Sequence, residues 1–208
     1  MKYLLILLAS FTLVSAIEIK SLPIVFGEQR VALTKEYIKD HYSKVVENIE
    51  ITPCLIVLHH TAVNDFNRSL NRFIDETLPL DRGDIAKASN LNVSAHFLVN
   101  KNGDIYSLMG ETTMARHVIG LNFSAIGIEN VGGQDDVDNL TDEQLKANVI
   151  LVKYLLKKYP TIKKVIAHSE YRTLENDPLW LEIDPAYRTR KTDPSKRFMR
   201  EFRELMND

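Results

Sequence analysis

Apolar positions along this chain follow two periods, and these divide it into strands and helices. Cys54-Leu55-Ile56-Val57-Leu58 is apolar at every position, the pattern of a strand covered on both faces. Residues 164–167 read as a second, shorter strand. In Ala125-Ile126-Gly127-Ile128-Glu129 the side chains alternate, so Gly127 and Glu129 share one face while Ile126 and Ile128 share the other. Residues 94–99 and 105–108 flank Lys101-Asn102-Gly103-Asp104, and Asn-Gly between apolar runs predicts a hairpin. Helical spacing runs through 35–46, with Tyr37, Ile38, Tyr42 and Val45 on one side. Asn64-Asp65 caps another predicted helix, whose inner face is Phe66, Leu70, Phe73 and Ile74. Thr141-Asp142-Glu143-Gln144 forms a capping box, with Leu140 and Leu145 as its hydrophobic staple. The helix it opens is expected to bury Leu145, Val149, Val152 and Leu156 and to stop before Pro160. Asp193-Pro194 is expected to start a last helix, with proline in its first turn and Phe198, Phe202 and Leu205 facing inward. Residues 19–29 read as an extended entry segment. The long polar stretch 76–92 reads as a loop over the active site, since loops of that length are often functional. Strands mixed with helices imply one α/β domain with a central mixed β-sheet flanked by helices.

Composition narrows the functional classes. The chain has 208 residues, 45% hydrophobic and 26% charged, enough for one full-sized core. A formal charge of −2 without a basic stripe gives nucleic-acid binding no electrostatic support. Cys54 is the single cysteine, so no internal disulfide forms, and it reads as a buried apolar thiol. Lys2, the apolar stretch 3–14 and then Val14-Ser15-Ala16 read as a secretory signal peptide cut after Ala16. The stretch is shorter than the ~20 residues of a membrane helix, so no stable membrane insertion is expected after cleavage. Residues 17–208 then form the mature protein, with an extension at about 17–52 and the core domain at about 53–208.

Three residues far apart carry the strongest chemical signal. His59 closes the apolar run 55–58, His168 closes 165–167, and Asp193 lies in Arg190-Lys191-Thr192-Asp193-Pro194. Two imidazoles and a carboxylate suit one zinc ion and leave a fourth position for water, the mark of a catalytic rather than structural site. His60 competes with His59, but neighbours on a strand face opposite ways, so His59 is favoured as ligand. Asp177 and Asp184 remain alternative carboxylate ligands, although Asp177-Pro178 and Asp184-Pro185 read first as turns. Glu129 is the candidate general base. Lys191 stands two residues before Asp193 and is placed to stabilise an oxyanion. His117 either contacts substrate or orients a ligand, and His96 reads as structural.

The chain resembles the type 2 N-acetylmuramoyl-L-alanine amidases, a zinc amidase family that shares its fold with phage lysozyme-type amidases and peptidoglycan recognition proteins. The resemblance rests on Ile56-Val57-Leu58-His59-His60-Thr61, Ser94-Ala95-His96-Phe97-Leu98-Val99, Ile126-Gly127-Ile128-Glu129, Val165-Ile166-Ala167-His168 and Lys191-Thr192-Asp193-Pro194, in that order. It implies one zinc ion on His59, His168 and Asp193, with Glu129 and Lys191 as catalytic residues and His117 near the substrate. It also implies hydrolysis of the amide between N-acetylmuramic acid and L-alanine in peptidoglycan or muropeptides. Ala95 stands where some relatives carry a catalytic tyrosine; the glutamate position differs in those relatives, and the resemblance implies that Glu129 is this chain's substitute. The segment 173–189 is longer than the usual connection and is expected to border the cleft.

Two other readings compete. One is a non-catalytic peptidoglycan-binding module, the other a zinc hydrolase of some other exported peptide. The leader implies a protein working in the periplasm or outside the cell. Mass spectrometry of the exported protein is expected to find an N-terminus near Ile17; a mature chain starting at Met1 would remove the leader from the account.

Overall fold

The computed structural model describes residues 17–80 and 82–207. The expected leader, 1–16, lies outside the described residues. Six strands form one mixed sheet: β1 (Ile19–Ser21), β2 (Leu55–His60), β3 (Phe97–Val99), β4 (Ile105–Ser107), β5 (Ala125–Asn130) and β6 (Lys164–Ala167), in the order β1-β4-β3-β5-β2-β6. Only β3 and β4, the hairpin across Asn102-Gly103, pair antiparallel. The other neighbours are parallel, with β2 between β5 and β6. Among the described residues five α-helices accompany the sheet: α1 (Glu28–Tyr42), α2 (Phe66–Ile74), α3 (Gly83–Ala86), α4 (Asp142–Lys158) and α5 (Lys196–Asn207). The expected single α/β domain with a mixed sheet is therefore the observed architecture. No helix among the described residues is long and apolar enough to cross a membrane.

Alternation along the strands sorts the sheet into two faces. Ile56, Leu58, Ile126 and Ile128 pack with Leu151, Leu155, Phe198 and Phe202 of α4 and α5. Leu55, Val57 and Ala125 point the other way, against Val118, Leu121 and Tyr171. His59, Glu129 and His168 continue that second face at the carboxyl ends of the strands. Each fully buried aliphatic side chain here contributes roughly 1.5–3 kcal/mol, so the strand ends rest on a stiff base.

Several helices depart from the sequence expectation for identifiable reasons. The first helix begins at Glu28 rather than 35, because the Glu76 carboxylate accepts the Gly27 and Arg30 amides at 2.6 and 3.2 Å. It ends at Ser43, in the left-handed region at φ 53°, so Val45 is exposed. In α4 the capping box forms as expected. Leu145 and Val152 are buried as expected, Val149 and Leu156 are only half-buried, and Gln144, Asn148, Leu151 and Leu155 complete the inward side. Gln144 Nε2 donates to the Val99 and Val131 carbonyls, and Asn148 Nδ2 to Asn130 Oδ1, so two polar residues occupy the sheet-facing side. The last helix starts at Lys196, not at Pro194, since Ser195 Oγ accepts the Phe198 amide as a cap. Met199 joins Phe198 and Phe202 inside, and Leu205 is exposed. Cys54 is half-exposed rather than buried, with its thiol toward the Thr52 carbonyl at 3.3 Å.

The extension is bonded to the core. Arg30, fully buried, donates to the Phe73, Ile74 and Asp75 carbonyls at the end of α2. His41 Nδ1 meets the buried Glu182 carboxylate at 2.9 Å, and its Nε2 donates to the Ala88 carbonyl at 2.9 Å. Burial pulls the imidazole down, but Glu182 and Ala88 outweigh it and hold His41 above its ordinary 6.5. Such a group stabilises the fold fully below pH 6.5, and its contribution fades as pH rises through the folded-state value. Urea unfolding at about pH 5.5 and about pH 8.5 is expected to show the advantage of wild type over His41→Gln shrinking at the higher pH; an advantage that grows would contradict the ion pair.

Candidate active site

Parallel pairing sets the site. In register, His59 lies beside Glu129 on β5, and Leu58 lies beside Ala167 on β6. The residue after Ala167 is His168, which opens a 3-10 turn, His168–Leu174. The His59 and His168 rings stand edge to face, 4.3 Å between centroids. Asp193 arrives from the last loop, and its carbonyl accepts the Ser169 amide at 2.8 Å. Its Oδ2 lies 3.0 Å from His168 Nδ1 and 3.4 Å from His59 Nδ1. Open sheets of this kind place ligands beyond the carboxyl ends of their parallel strands.

These three side chains are the group among the described residues that could hold a metal, with all ligand atoms within 4.8 Å of one another. Donors on a tetrahedral zinc ion with bonds of ~2.0–2.1 Å stand about 3.3 Å apart, so the observed spacing fits. The charges fit as well. Burial lowers His59 to about 4, with the charge of His168 adding to it, so a neutral imidazole faces the cluster near pH 7. Burial alone would raise Asp193, but the charge and hydrogen bond of His168, 3.0 Å away, hold it well below the usual carboxylate range. Neither Asp177 nor Asp184 is in the cluster: Asp177 pairs with Lys164, and Asp184 Oδ1 accepts the Ala186 amide.

The cluster sits in a cavity of about 380 Å³, also lined by Glu129, Lys191, His117 and Arg82. Glu129 Oε2 is shielded from solvent and has no hydrogen-bond partner. Burial, reinforced by Asp193, pushes this carboxyl up to about 8, against the pull of Lys191 and Arg82. His60, the last residue of β2, also borders the cavity, although the strand alternation favours His59 alone. His96 is structural, as expected: its Nδ1 accepts the Gly127 amide at 3.0 Å and its Nε2 donates to the Thr113 carbonyl at 2.9 Å.

The walls come from segments with little strand or helix signal. Ile85 and Arg82 bring 76–92 to the cavity, while Tyr187 and Thr189 bring the long connection 173–189. That connection is anchored by Trp180, which packs on Gly120 so closely that a Cβ there would lie 2.7 Å from the indole. Sequence reasoning missed Arg116, which is buried and clamps the rim through the Ser89, Leu91 and Ile85 carbonyls and Tyr187 Oη. Its position beside His117 is the one signal that pointed there.

Comparison with known proteins then supplies the class. The N-acetylmuramoyl-L-alanine amidase family (Amidase_2) matches residues 50–196, and this chain belongs to that family of peptidoglycan amide hydrolases. A selenomethionine derivative of AmpD matches in structure with TM-score 0.54 and 23% identity, covering 90% of this chain and 94% of that one. AmpDh3 from Pseudomonas aeruginosa matches with TM-score 0.53 and 25% identity, covering 78% of this chain and 63% of that one. No curated protein matches the sequence.

Unfolded Glu129 ionises near 4.5, whereas the folded group keeps its proton to about 8. Between those values ionisation favours the unfolded chain increasingly as pH rises. In metal-free protein, Glu129→Gln is therefore expected to gain roughly 1–3 kcal/mol of stability at pH 8 and little at pH 4.5, read by urea denaturation. Equal effects at both pH values would mean that the carboxyl is not strained.

Proposed function

We propose that this protein is a zinc-dependent N-acetylmuramoyl-L-alanine amidase that cleaves the amide between the lactyl group of N-acetylmuramic acid and L-alanine in peptidoglycan or muropeptides. The observation that carries the reading is the convergence of His59, His168 and Asp193 within 4.8 Å in a cavity that Glu129 and Lys191 also line. These three residues would hold the ion. When bound, zinc supplies Lewis-acid polarisation of the scissile carbonyl and makes water more acidic. Glu129 takes the proton from the attacking water and returns it to the departing alanine nitrogen. Glu129 Oε2 has no hydrogen-bond partner in the cavity, which leaves it available for that exchange. The Lys191 ammonium stabilises the negative charge that develops on the carbonyl oxygen. The apolar leader at 3–14 supports action outside the cytoplasm, in the periplasm or the medium.

A complete donor set with a carboxylate and a cation beside it favours hydrolysis over simple binding. Purified protein incubated with muropeptides, with products read by mass spectrometry, is expected to release free stem peptide beginning at alanine. Intact muropeptides from zinc-loaded protein would overturn the reading. Glu129→Ala is expected to keep zinc and lose activity by about 10²–10⁴-fold. Asp193→Ala is expected to lower zinc occupancy in metal analysis, and full occupancy there would remove Asp193 from the ligand set.

A further inference from the structure

The His117 ring is engaged inside the protein at both nitrogens. Nε2 lies 3.3 Å from the Ala125 carbonyl oxygen, and Nδ1 lies 3.0 Å from His59 Nε2. A carbonyl only accepts, so His117 carries its proton on Nε2 and presents a lone pair at Nδ1. That lone pair needs a donor, so His59 carries its proton on Nε2. The remaining nitrogen of His59, Nδ1, is then left with a lone pair aimed at Asp193 Oδ2, 3.4 Å away. Two acceptors facing each other at that distance repel unless a cation lies between them.

Resting on the zinc reading above, we infer that His117 is a positioning residue: through a chain from the Ala125 carbonyl it fixes the tautomer of His59, so that Nδ1 is the atom offered to the metal. Histidine ligands are commonly oriented by the acceptor that takes the proton of their other nitrogen, and here another histidine takes that part. The surroundings hold His117 in place for it. Asn122 Oδ1 accepts the amides of His117 and Val118 at 2.8 and 2.7 Å. The ring lies against Gly127, where a Cβ would come within 2.8 Å of it, so β5 leaves room for it only with glycine at that position. The two rings meet edge to face, with centroids 5.1 Å apart.

The test has two arms. In metal-free wild-type protein, long-range ¹H–¹⁵N NMR is expected to find the His59 proton on Nε2. Zinc affinity, measured by competition with a chromogenic chelator, is expected to fall about 10–100-fold in His117→Phe, which has no acceptor. It is expected to recover in His117→Asn, whose amide oxygen reaches the position of Nδ1. A His59 proton on Nδ1 would overturn the inference, as would unchanged zinc affinity in His117→Phe. If His117→Phe does not fold, the tautomer in wild type decides alone. Failure of wild type to bind zinc is a separate result, which would remove the zinc reading rather than the hydrogen-bond chain.

Discussion

Parallel pairing of β2 with β5 and β6 is the constraint on which the site depends. Parallel strands keep their carboxyl ends together, so residues that close three separate apolar runs come to one edge of the sheet. Because alternation is strict, the residues at 59, 129 and 168 share the face opposite α4 and α5. A slip of one residue in any strand would turn its functional side chain toward the helices. The apolar positions of β2 and β5, buried on both faces, oppose such a slip, and so the packing that stabilises the fold also sets the geometry of the cluster.

The two faces of the sheet have different tasks. One is closed by α4 and α5 and carries most of the large aliphatic core. The other is left open at the strand ends and walled by three segments that lack regular structure over most of their length. Arg116 joins 76–92 and 173–189 to its own loop, and the His41–Glu182 pair ties 173–189 to α1 as well. Buried charged groups are costly unless every hydrogen-bonding atom is used, so such a network holds its loops in few arrangements. An active-site rim built this way is stiff without being helical.

Within the cavity, polar groups are arranged by burial as much as by contact. Desolvation lowers His59 and raises Glu129, while Asp193 is kept ionised by His168. Opposite shifts on neighbouring groups leave a neutral nitrogen, a carboxyl of raised proton affinity and an anionic oxygen within one small volume. That division of labour suits a hydrolase of amides, the chemistry of the family to which the chain belongs.

Much of this was written in the local sequence. The strands at 54–58, 125–129 and 164–167, the Asn-Gly hairpin and the Thr141 capping box follow from short-range physics, because alternation and turn chemistry need no distant partner. Candidates for the cluster were likewise visible as polar residues closing apolar runs. Other features depended on partners far along the chain. Glu76 starts α1 early, Gln144 and Asn148 replace aliphatic residues on the inner stripe of α4, and Arg116 and Glu182 hold the rim through bonds to segments dozens of residues away. Its motif and the resemblance already favour Asp193 over Asp177 and Asp184; what the fold adds is position, since each is an acid before a proline and, of the three, Asp193 lies beside the two histidines. Sequence by itself determined which residues had the chemistry and which short segments would be strands; tertiary packing decided which of them meet, because burial and long-range hydrogen bonds exist only once the chain has closed.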